Sequence, residues 1–149
     1  MVNIFRMRHY KIFLLGLLVG FIFTYFFEKT TKWSNTHTFI LGVPLKIIIA
    51  WAVSLLLLYI ITDTILANYG NQFKWGVYIP AFFLVGVVIE YIGFHILKIQ
   101  PLNNLPPLIP SLDIWHGSPW LFFGYGLVAL AFIEIVRNIE PYLDRRGML

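Results

Sequence analysis

The fold class predicted by this sequence is an all-α integral membrane protein: a four-helix transmembrane bundle made of two tandem helical hairpins. Three observations predict it. First, 59% of the residues are apolar and only 12% are charged, about half the charge of an ordinary soluble domain. Second, the apolar residues gather into four long runs. Third, the two halves of the chain repeat one another. Aromatic residues reach 18%, with 14 Phe, 8 Tyr and 5 Trp. A water-soluble core of this size cannot hide so much apolar surface, whereas lipid covers it.

The four runs are read as spans over about 12–27, 39–62, 76–97 and 119–136, within a single transmembrane domain, 1–149. The first and last are short against the roughly 20 residues a bilayer requires, and flanking Tyr, Trp, Lys and Arg extend them. Arg6, Arg8 and Lys11 ahead of an apolar run also describe a signal peptide. The residues that close the run, Thr24, Tyr25, Phe26, Phe27 and Glu28, are not the small ones a cleavage site uses, so the expectation is an uncleaved first span. With the N-terminus inside, Arg6, Arg8, Lys11, Lys74, Arg137, Arg145 and Arg146 lie on the inner side. Lys29, Lys32, Lys46 and Lys98 lie outside. Seven against four places both termini in the cytoplasm and the protein in the plasma membrane as a multi-pass chain. Tyr10, Trp33, Trp75, Trp115 and Trp120 fall near the interfaces, as an aromatic belt does.

The repeat is visible in two places. Leu18-Val19-Gly20-Phe21-Ile22-Phe23-Thr24-Tyr25-Phe26 aligns with Leu84-Val85-Gly86-Val87-Val88-Ile89-Glu90-Tyr91-Ile92, and Gly42-Val43-Pro44 aligns with Gly117-Ser118-Pro119. Each Gly-x-Pro opens the helix that follows. Proline suits that position because its missing N–H would be unpaired there anyway. Both units run in the same direction, a parallel repeat about an axis along the membrane normal. Glu90 takes the place that Thr24 has in the first unit.

Glu90 is the one carboxylate expected at membrane depth. Such a residue costs roughly 2.5–3.5 kcal/mol on insertion scales and is a functional-site candidate by default. Burial there favours the neutral acid, which can donate a proton to an apolar substrate or hydrogen-bond a neighbouring helix or subunit. Gly16 and Gly20 form a Gly-x-x-x-Gly that permits close helix packing. Glu134 and Arg137, three apart, make a local ion pair.

Gln100 to Gly117 holds Pro101, Pro106, Pro107 and Pro110 together with seven large apolar residues. Proline at this density excludes a helix and favours extended backbone. Asn103 and Asn104 suit a turn. The apolar residues belong over the bundle's own ends, against a partner subunit or at a substrate entrance. His95, Asp113 and His116 gather near this segment. With His37 and Glu90 they are the weak candidates for a His/carboxylate metal site. With no cysteine in the chain, thiolate metal sites, iron–sulfur clusters, disulfides and covalent haem are excluded. No cofactor is expected, a metal ion aside. No nucleic-acid partner is expected either, because the net charge of +4 is small and dispersed.

Leu41-Gly42-Val43-Pro44-Leu45-Lys46-Ile47-Ile48-Ile49-Ala50-Trp51 and Glu90-Tyr91-Ile92-Gly93 resemble segments of carotenoid-biosynthesis membrane proteins, the bisanhydrobacterioruberin hydratase and lycopene-cyclase-domain type. The resemblance covers about a third of the chain. It departs in the order of the two motifs and at Lys46, where an apolar residue is expected. It implies a cofactor-free, multi-span enzyme in which Glu90 protonates an isoprenoid. Size, aromatic surface and the apolar outer segment point instead to an accessory subunit of a larger integral-membrane enzyme complex. Its partners would be the lipid bilayer and other membrane subunits.

Overall fold

The computed structural model describes residues 2–28, 34, 37–66, 68–100, 102, 106–116 and 119–145. Helix α1 (Val2–Phe23) continues into a π turn, Thr24–Glu28. A short hairpin, β1 (Phe39–Ile40) and β2 (Val43–Pro44), leads directly into α2 (Leu45–Ile60), which ends in a second π turn, Ile61–Ile65. Helix α3 (Asn71–Tyr91) ends in a third, Ile92–Ile96. A second hairpin, β3 (Pro107–Ile109) and β4 (Ile114–His116), precedes α4 (Pro119–Arg145).

Among the described residues, four helical stretches are long and apolar enough to cross a membrane: Arg8–Phe26, Leu45–Asp63, Gly76–Ile96 and Phe122–Ile139. By length and composition this is a multi-pass membrane protein. A helix suits that solvent because it satisfies its own backbone polar groups where no water is present. The helices form a ring in which each packs on the next and α4 returns to α1. Its centre is filled by fully buried Ile12, Leu55, Leu58 and Phe132, with Trp51, Tyr59, Tyr78 and Phe82 around them.

The second helix starts at Leu45, not at Phe39. Phe39 pairs with Pro44 and Ile40 with Val43 across a turn in which Leu41 has φ 50° and Gly42 φ 84°. Two successive positive φ values are the signature of a tight hairpin turn that matches strand twist. Apolar letters alone do not distinguish such a hairpin from one more helical turn. The Leu45 N–H donates to Thr38 O at 2.9 Å and fixes the hairpin to the helix start. In the second hairpin Pro107 lies opposite His116 and Ile109 opposite Ile114. The extended backbone expected of the proline-rich segment is therefore a paired ribbon over 107–116. Asn103, Asn104, Trp33 and the Gly117-Ser118 pair lie outside the described residues.

Polar contacts mark the two ends of the ring. Where α1 begins and α4 ends, Arg8 Nη2 lies 3.4 Å from Asp63 Oδ1, and its guanidinium sits 5.4 Å from the Tyr59 ring centroid. Arg137 pairs with Glu134 at 3.4 Å and covers the Tyr78 ring at 5.6 Å. At the hairpin end, Ser34 Oγ donates to Lys98 O (2.8 Å) and accepts from the Gln100 N–H (2.9 Å). This ties the segment after α1 to the segment after α3.

Helix α3 carries Pro80 inside its span. Proline there leaves the carbonyl of Gly76 without its usual helical donor.

Candidate functional site: a cleft between the second and third helices

An apolar cleft of about 400 Å³ lies between α2 and α3, toward the hairpin end. That volume falls in the usual range of small-molecule sites, about 300–1,000 Å³. Along α2 it reaches from Lys46 to Ser54, about 12 Å at roughly 1.5 Å per residue. The α3 side runs from Phe82 through Gly86 and Glu90 to Gly93, and the following turn adds Leu97.

The floor is aromatic. Trp51 stacks on Phe82 with centroids 5.9 Å apart and meets Tyr125 of α4 edge-on at 5.0 Å. Phe23 of α1 closes the group at 4.8 Å from Trp51 and 5.3 Å from Tyr125. Four helices thus contribute one ring each or more, and the cluster fixes the spacing of α2 and α3. Ser54, at the deep end, spends its hydroxyl on Ala50 O at 2.9 Å, so it presents little polarity to an occupant.

Gly16 and Gly20 set the other side of Trp51. A Cβ on Gly16 would come within 3.1 Å of Ala52 Cα, and one on Gly20 within 2.6 Å of Trp51 Cβ. The two glycines therefore lie where α1 and α2 approach most closely. Gly93 is the opposite case. A Cβ there meets no atom within 4 Å, because Gly93 borders the open cleft.

Glu90 is half-buried in the cleft wall, four residues past the middle of its span, or about 6 Å along the helix. Lys46, on the first turn of α2, is exposed and lines the same cleft. Thr24, which the sequence alignment sets against Glu90, is fully buried, and its hydroxyl has no hydrogen-bond partner among the described residues.

The histidines are placed differently. His116 Nε2 lies 3.1 Å from Asp113 Oδ1, while His95 Nε2 lies 2.9 Å from the carbonyl oxygen of Leu112. Asp113 sits in the β3–β4 turn at φ 49°, so its spacing from His116 comes from a ribbon and not from a helical turn. His37 is exposed before β1. Among the described residues, no three His, Asp or Glu side chains converge in a way that could hold a metal ion.

The sequence singled out Glu90 but not its surroundings. Phe82 and Tyr125 were legible only as span residues, and Lys46, Trp51 and Gly93 only as members of the two resembling segments. One signal was available: Trp51 lies deep in its apolar run, away from the interfaces where membrane Trp usually sits. No protein-family model matches the chain, and no curated protein or solved structure matches it.

Proposed function

We propose that the protein is a small membrane enzyme acting on an isoprenoid or other unsaturated lipid, with Glu90 as proton donor. The observation that supports this reading is the placement of Glu90 in the wall of an apolar cleft at membrane depth. The acid would protonate one carbon of a double bond, leaving a cation on the other. Return of a different proton to the Glu90 carboxylate would give an isomer and restore the acid. The Trp51, Phe82 and Tyr125 rings suit such a cation, since aromatic faces attract positive charge by about 0.5–2 kcal/mol. The resemblance to carotenoid-biosynthesis proteins points the same way.

Proton transfer from Glu90 leaves an isotopic trace. Membranes holding the protein, incubated in D2O, should place deuterium on a lipid carbon, read by mass spectrometry of the extract. Glu90→Gln should abolish the label. Label that persists in Glu90→Gln removes Glu90 from the acid role.

A second reading, an accessory subunit of a membrane enzyme complex, is favoured by Leu41. This residue is 75% exposed at the β1–β2 tip and adopts φ 50°, a conformation costing roughly 1–2 kcal/mol for a residue with a Cβ. An exposed Leu held there against its preference suits a contact with a partner subunit. Co-migration with larger subunits in mild detergent supports this reading, and a lone active monomer sinks it.

We further read the fold as two tandem hairpins in a parallel repeat, with both termini cytoplasmic in the plasma membrane. Each half runs as helix, π turn, β-hairpin, helix, which supports the repeat. The surplus of Lys and Arg on the terminal side supports the orientation.

A further inference from the structure

We propose that the occupant of the α2–α3 cleft is a single-chain anionic amphiphile, its hydrocarbon tail on the Trp51–Phe82 floor and its phosphate or carboxylate head at Lys46. This rests on the cleft being a lipid site with Glu90 as its acid.

The polarity of the cleft is arranged lengthwise. The deep end, at Val53, Ser54 and Phe83, is apolar, and the Ser54 hydroxyl is already used within its own helix. Lys46 lies at the other end, about 12 Å away at roughly 1.5 Å per residue, and is exposed. A pure hydrocarbon gains nothing from an ammonium group at the mouth. A chain with an acidic head matches both ends: apolar burial along the floor and a charge-assisted hydrogen bond at the rim.

Glu90 borders the same cleft.

Binding of dodecyl phosphate, dodecanoate and dodecanol to the full chain in phosphatidylcholine nanodiscs tests the assignment, with empty discs subtracted. The three share a tail and differ in the head. The two anions, or the phosphate alone, should bind tighter than dodecanol by about tenfold, the worth of one charge-assisted hydrogen bond. Tight binding by both makes any anionic head sufficient, and tight binding by dodecyl phosphate alone assigns a phosphate. Lys46→Gln should bring the anions to the dodecanol level without changing dodecanol itself, and Lys46→Arg should keep the preference. Equal binding of all three amphiphiles overturns the proposal, as does a loss in Lys46→Gln shared by all three. Gly93→Leu separates this from a failure of the cleft itself. If it leaves every amphiphile bound as before, the cleft is not the site and both readings fall. If it weakens all three while they remain equal, only the anionic head is refuted.

Discussion

Gly20→Ala should destabilise the protein by wedging α1 away from α2. A Cβ at this position would stand 2.6 Å from Trp51 Cβ and 3.2 Å from Ile48 O, whereas ordinary contact begins at 3.4 Å. The first separation is short by about 0.8 Å on that measure. Neither neighbour can rotate away, since one is the root of a side chain and the other is backbone. Trp51 is also held from three further directions by Phe23, Phe82 and Tyr125. Overpacking of this kind costs about 1–3 kcal/mol. Alanine recovers about 1 kcal/mol because it is a better helix former than glycine. Gly124→Ala in α4 supplies the control, because a Cβ there meets nothing within 4 Å. The propensity gain cancels between the two variants, and their difference should be the overpacking cost, about 1–3 kcal/mol. Equilibrium unfolding in mixed micelles of a mild detergent and dodecyl sulfate measures it. Equal midpoints for the two variants would refute the close approach of α1 and α2 at Gly20.

Three further outcomes are expected. Gly93→Leu fills part of the cleft without striking protein atoms, so stability should hold or rise by up to about 1 kcal/mol while lipid uptake falls; a marked loss of stability contradicts the open space at Gly93. Asp63→Asn should cost about 1 kcal/mol or less, because the pair with Arg8 is partly solvent-exposed, and a double-mutant cycle with Arg8→Gln should show coupling; strict additivity means the 3.4 Å contact contributes nothing. Leu41→Asn relieves a positive φ and should raise stability by about 1 kcal/mol while weakening any partner contact at the hairpin tip; a fall in the unfolding midpoint would show that the Leu41 side chain stabilises the isolated protein.

The spans were legible because a bilayer demands them: about twenty apolar residues must be helical wherever water is absent. The start of α2 was not, since Phe39-Ile40-Leu41 extends the apolar run without a break in composition. What ends the run there is the conformation of Leu41 and Gly42, a backbone property that only the Gly-Val-Pro letters hint at. The three π turns were illegible for a related reason: one extra residue in a turn leaves composition and spacing almost unchanged. Glu90 stood out because charge at depth is rare. The cleft beside it did not, because it is a property of how far apart two helices stand. That distance is fixed by Trp51, Phe82 and Tyr125, which come from three separate helices. The candidate metal ligands do not converge among the described residues. His116 meets Asp113 within the ribbon, whereas His95, on the turn that ends α3, meets the Leu112 carbonyl instead of joining them.

Pro80 lies two residues below Phe82, at the foot of the cleft. The missing hydrogen bond weakens α3 at this point, and the rest of the helix and its π turn, up to Ile96, lie above it. A small tilt at Pro80 would displace Phe82, two residues away, less than Ile96 at the far end of the turn. A tilt there would widen the cleft at its rim while the Trp51–Phe82 floor kept its spacing. Spin labels at 46 and 97 should report a broader distance distribution than labels at 53 and 83, and Pro80→Ala should narrow it. Equal widths at rim and floor would rule out a lever.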